Sequence, residues 1–72
     1  MASFHARVGE SIRARRLELG ISQEELGEIV HLDRTYISGV ERGVRNPTID
    51  SLAGIAKGLK CALSELIADA ES

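Results

Sequence analysis

Apolar residues in this chain recur every three or four positions, in five runs separated by polar or glycine-containing breaks. Phe4, Val8, Ile12 and Leu19 mark the first run, and Leu26, Ile29 and Val30 the second. Ile37 and Val40 point inward from the third, while Ile49, Leu52, Ile55, Ala56 and Leu59 form the stripe of the fourth. Leu63, Leu66 and Ile67 make the fifth. This spacing follows one face of an α-helix, and no useful length alternates with the period of a strand. The expected fold is therefore all-α. Punctuation sharpens the boundaries: Ser3 caps a first helix that runs to about Leu19 and ends at Gly20. Ser22, with Glu25 three residues on, is a capping-box signature for a second helix from Gln23 to Val30. Asp33 can cap a third from Arg34 to Arg42, and Gly43 follows as the left-handed residue that stops it. Thr48 opens the fourth, and Leu32 would close the core over the turn between the second and third.

The densest information lies from Ile21 to Pro47, ISQEELGEIVHLDRTYISGVERGVRNP. It reads as a short helix, a tight turn and a second helix whose outward face is polar and basic. A rod of that kind fits the DNA major groove, which is wide enough to admit a helix.

Size narrows the possibilities. Seventy-two residues predict one domain, 1–72, with a short frayed C-terminal tail and no second domain to sense a small molecule. A chain this short buries only roughly 60% of its unfolded surface, so packing has to be efficient or a partner has to help. No apolar run approaches the ~20 residues of a membrane span, and no apolar leader is expected. The single Cys61 argues against a disulfide framework; it fits a reducing, cytoplasmic setting and a place as a small core residue.

The net charge of −2 does not favour nucleic acid until its distribution is read. Met1 to Arg45 holds seven Lys/Arg and seven Asp/Glu, whereas Asn46 to Ser72 holds two Lys and four acids. Arg34, Arg42 and Arg45 gather at the third helix and its exit, against Asp33 and Glu41. Two copies would double that basic stripe and leave the acidic tail elsewhere; a merely solvated face is the plain alternative. Catalysis finds no support. His5 and His31 are far apart, neither sits beside a Ser or Cys in a nucleophile motif, and no metal-ligand spacing or phosphate loop is present. No metal and no cofactor are expected.

RRLELGISQEELG at Arg15–Gly27 and TYISGVERG at Thr35–Gly43 resemble the Cro and phage-repressor helix-turn-helix family along nearly the whole chain. LDRTYISGVERGVRNPTIDSL, Leu32–Leu52, is similar to the small controller proteins of restriction–modification systems. The resemblance implies a five-helix, lambda-repressor-like domain that binds double-stranded DNA as a homodimer. Gln23 is then expected to touch a phosphate and support the third helix, its amide being both donor and acceptor. Arg34 would read a guanine in bidentate fashion, and Thr35 would meet a thymine methyl or a phosphate. Tyr36 and Ser38 are expected at backbone or base edges, with Arg42, Arg45 and Asn46 completing the surface. Gly39 stands where phage repressors usually carry a base-reading side chain, which implies either a close approach to DNA or a packing reason.

Arg16 and Glu41 match a partly buried ion pair that fixes the angle of the third helix. Glu24 and Glu28 admit two readings: balancing the helix dipole, or contacting RNA polymerase. The dimer seam is expected near the fourth and fifth helices, including Leu63, Leu66 and Ile67, although core packing competes for the same residues. A controller that regulates its own promoter is the reading reached; a plain repressor and an antitoxin-like protein-binding module are the alternatives, since fold alone does not settle function.

Overall fold

The computed structural model describes residues 3–72, which form five helices: α1 (Phe4–Glu18), α2 (Gln23–Val30), α3 (Arg34–Glu41), α4 (Ile49–Gly58) and α5 (Leu63–Glu71). The capping residues do what their chemistry suggests. Ser3 Oγ accepts from the Ala6 N–H at 3.1 Å, and Thr48 Oγ1 accepts from the Ser51 N–H at 3.0 Å. At α2 the box is complete: Ser22 Oγ accepts from the Glu25 N–H (3.0 Å), and Glu25 Oε1 accepts from the Ser22 N–H (2.9 Å). Only α5 starts on a residue without a capping oxygen, Ala62, and there Glu65 Oε1 reaches back to the Ala62 N–H at 2.8 Å.

Three helices end in the same way. The N–H groups of the two residues past the cap fold back onto carbonyls of the last turn, a Schellman arrangement that requires a left-handed residue. At α1 the pairs are Gly20 to Leu17 (3.0 Å) and Ile21 to Arg16 (3.3 Å); at α4 they are Lys60 to Lys57 and Cys61 to Ala56, both at 3.0 Å. At α3, Gly43 donates to Val40 and Val44 to Gly39, again at 3.0 Å. Gly43, at φ +76, also leaves no space for a side chain: a Cβ there would lie 2.6 Å from the Ala6 Cα. The turn between α2 and α3 instead uses His31 at φ 60, an exposed residue in a conformation that side chains seldom adopt. The Leu32 N–H then returns to the Gly27 carbonyl at 2.9 Å. A Cβ on Gly27 would stand 2.5 Å from the Leu32 carbonyl oxygen, so the turn can fold this tightly only over a glycine.

The five helices share one core of Val8, Ile12, Leu26, Ile37, Val40, Leu52, Ile55, Ala56, Leu59, Leu66 and Ala70. Leu32, Tyr36, Cys61, Leu63 and Ile67 pack half-buried around it. Several residues assigned to the core by periodicity face outward. Ile29 is 54% exposed and Ile49 71%, and Phe4 and Leu19 are exposed as well. The buried arc of α2 runs from Leu26 to Gly27, with Val30 one turn on, and Ile29 lies on the far side of Leu26 from it. Ile49 is the first residue of its helix and precedes the turn that meets the core. Leu66 reverses in the other direction. Expected at a dimer seam, it is 0% exposed within the single chain and has no surface to offer a partner. No helix among the described residues is long and apolar enough to cross a membrane.

α5 is clasped to α1 by polar groups at the rim of the core. Asp69 Oδ2 accepts from Ser11 Oγ (2.7 Å) and from Arg15 Nε (2.9 Å), and the Arg7 guanidinium donates to the Ser72 carbonyl at 3.0 Å. The Arg15 hydrogen bond, followed by that of Ser11, holds the Asp69 carboxyl below its ordinary range. A carboxyl that binds its proton less tightly when folded stabilises the fold above its unfolded pKa of ~3.9 and loses that contribution as pH falls through the lower folded value. Asp69→Asn should therefore lower the melting temperature at neutral pH and shrink the acid-induced loss of stability, as measured by circular dichroism melts across the acid range.

Candidate nucleic-acid interface

Helix α3 is held by its inner face. Ile37 and Val40 are in the core, and so is a charged residue, Glu41. Its carboxylate receives a fork from Arg16 of α1: Nε donates to Oε2 at 2.7 Å and a terminal nitrogen to Oε1 at 3.0 Å. The two side chains are only 8% and 2% exposed. The other terminal nitrogen of Arg16 donates to the Ile21 carbonyl at 2.9 Å, and Gln23 Nε2 donates to Glu41 Oε1 at 3.0 Å. One carboxylate thus ties together α1, the α1–α2 connection, the first residue of α2 and the last residue of α3. The hydrogen bonds that Arg16 donates to Glu41 raise the arginine's already high pKa. α1 also presses its backbone against the end of α3. A Cβ on Gly9 would overlap the carbonyl oxygens of both Val40 and Glu41.

The outer face of α3 is open. Arg34, Thr35 and Arg42 are exposed, and Tyr36 and Ser38 are half-buried. Asp33 caps the helix by accepting from the Thr35 N–H at 2.7 Å, and that backbone hydrogen bond lowers its pKa and keeps it ionised at neutral pH. With Glu41 buried and matched by Arg16, the exposed basic groups Arg34, Arg42 and Arg45 are opposed by Asp33 at the helix cap and by Glu24 in the cleft beside Arg34. Pairing with Arg16 takes the Glu41 charge out of the field that this face presents.

The residues expected at a DNA surface fall into two groups. Gln23 and Arg34 line one open cleft with Arg16, Ser22 and Glu24, at the N-terminal ends of α2 and α3. Tyr36 and Arg45 form the second group, the guanidinium standing 5.6 Å from the ring centroid, within cation–π range. Asn46 is exposed in the loop beyond, and Glu24 and Glu28 are exposed on α2. Gln23 is directed by a bond to Glu41 that no sequence spacing announces, because the two lie 18 residues apart.

The family model for helix-turn-helix proteins matches residues 12–66. Over 72 residues the chain is 39% identical to control protein C.MunI from Mycoplasma sp., covering 99% of this chain and 97% of that one. It is 42% identical over 60 residues to control protein C.SmaI from Serratia marcescens, covering 83% of this chain and 71% of the relative. Among solved structures, the restriction–modification controller protein C.Esp1396I, crystallised as a tetramer with its natural 35 base-pair operator, superposes with a TM-score of 0.84. It is 41% identical and the match covers 100% of both chains. The chain belongs to the helix-turn-helix family of DNA-binding transcription regulators. Within that family it is related to the restriction–modification controller proteins.

The Arg16–Glu41 pair gives the site its first test. Removing one partner of a buried ion pair strands the other charge at about 3–5 kcal/mol, a large share of the roughly 5–15 kcal/mol typical of a whole domain. Glu41→Ala should therefore fail in thermal denaturation before any change in sequence preference can be measured. The combined Arg16→Met and Glu41→Leu protein should recover much of that stability. Unchanged melting of Glu41→Ala with loss of DNA binding would reverse the structural assignment.

Proposed function

We propose that the protein is a dimeric, sequence-specific transcription regulator that binds a pseudo-palindromic operator, controls its own promoter and serves a restriction–modification system. The observation that carries this reading is the exposed Arg34–Thr35 end of α3, on a helix whose angle is set by the buried Arg16–Glu41 fork. Arg34 is the base reader, placed to bond O6 and N7 of a guanine, and Thr35, Tyr36 and Ser38 add contacts along the same edge. Gln23, Arg42, Arg45 and Asn46 hold the backbone and the flanking base pairs. The relatives support the context: controller proteins match across nearly the full length, and one of them was crystallised on its operator.

Dimerisation follows from information content. One short helix reads only a few base pairs, too few to single out a site among the millions that compete, whereas a two-fold pair reads two half-sites about one turn apart. With Leu66 inside the core, the seam draws on half-buried Leu63 and Ile67 and on the exposed apolar residues near the start of α4. Ile67 lines a shallow apolar depression with Phe4 and Pro47, and Val44 and Ile49 stand exposed on either side of Pro47 in the chain.

In vitro selection from a random duplex pool tests the whole reading. It should enrich a two-fold motif with half-sites about one helical turn apart. Arg34→Ala should then lose ~1–3 kcal/mol of discrimination at one guanine per half-site, with little change in melting temperature. No enrichment at low salt and high protein concentration would favour a protein-binding module instead. For promoters activated rather than repressed, Glu24 and Glu28 are the proposed polymerase contacts. The Glu24→Gln/Glu28→Gln protein should keep its operator affinity and lose activation in a purified transcription assay; retained activation assigns these acids to the helix dipole and solubility.

A further inference from the structure

Gly39 sits inside α3, where a glycine weakens a helix, and it is buried although it has no side chain to bury. What covers it is Arg45. A Cβ on Gly39 would overlap the Arg45 Cγ, with the Arg45 Cβ at 3.4 Å and Cδ at 3.6 Å. The main chain leads the arginine there. The Gly39 carbonyl accepts from the N–H groups of both Val44 (3.0 Å) and Arg45 (3.2 Å), so the chain leaving α3 doubles back over the helix at this residue. The stem of Arg45 then crosses α3 in the space left by the missing methyl, and its guanidinium comes over the Tyr36 ring.

We propose that Gly39 is a specificity-positioning residue: its bare backbone is the slot that seats Arg45 across α3 and presents its guanidinium, backed by Tyr36, on the outer face of that helix. This rests on the reading of the α3 face as the DNA surface. An arginine stem has several rotatable bonds, and immobilising it costs conformational entropy at the moment of binding. Seating it beforehand against Gly39 and Tyr36 removes part of that cost. The obstructing atoms are near the root of the side chain, so an alanine at position 39 and the seated arginine exclude one another.

The consequence separates binding from stability. Alanine is the better helix former, so Gly39→Ala should melt at or above the wild-type temperature. Its affinity for the selected operator should nevertheless fall by on the order of tenfold, the size expected for one well-placed contact to a base. The loss should match that of Arg45→Ala, and the Gly39→Ala/Arg45→Ala double variant should bind no more weakly than Arg45→Ala alone. NMR reads the seating without DNA: the Arg45 Cδ and Nε protons, those nearest the guanidinium carbon over the Tyr36 ring, should be shifted upfield in wild type and return to ordinary values in Gly39→Ala. Wild-type Arg45 protons at ordinary positions, full operator affinity in Gly39→Ala, or additive losses in the double variant would each overturn the proposal. If wild type selects no sequence at all while the ring shift persists, it is the DNA reading that falls, and the specificity role with it. If wild type selects a motif that Gly39→Ala binds equally well, only the role of Gly39 falls.

Discussion

The geometry of the α3 surface depends on one buried carboxylate. Glu41 closes α3 and receives two hydrogen bonds from Arg16 and one from Gln23, while Arg16 also donates to the carbonyl of Ile21. A hydrophobic core alone specifies contact but tolerates sliding, because apolar surfaces attract without direction. A forked guanidinium–carboxylate bond inside that core is directional, and departures from its geometry leave charge unmatched in a poorly solvating interior. The angle of α3 is accordingly set from α1, through a residue 25 positions earlier in the chain.

That arrangement also resolves a difficulty in the charge balance. A chain with a net charge of −2 is an unpromising ligand for a polyanion. Several of the acids, however, are spent on structure. Glu41 is internal and paired, Asp33 caps α3, Glu25 closes the box at α2 and Asp69 clasps α5 to α1. Arg34, Arg42 and Arg45 remain exposed on and just beyond α3. Local field, not total charge, governs the encounter with DNA, since screening confines the influence of distant acids to about a Debye length, ~8–10 Å.

Much of this was legible in the residues. Ser3, Ser22, Asp33 and Thr48 are short polar side chains just ahead of apolar runs, and each caps the helix it precedes. Gly20 and Gly43 mark helix ends because a left-handed residue is required there. The Arg16–Glu41 pair was visible only through family resemblance: nothing local connects residues 25 positions apart. Periodicity misled at Ile29 and Ile49, because it locates an apolar stripe without saying how much of that stripe the neighbouring helices cover. It also left open whether Leu66 turns toward the core or toward a second copy.

The helices, their caps and the identity of the basic residues at α3 follow from the residues alone, because helix and cap are set by interactions within four or five positions along the chain. Which apolar side chains are covered, which acid is removed from the α3 surface, and where the arginine after α3 comes to rest are settled only in the packed fold. Each of those outcomes depends on how helices separated in sequence dock against one another. The seating of Arg45 across Gly39 is the clearest case: the glycine is visible in the chain, but the space it leaves has meaning only once the loop has folded back over the helix.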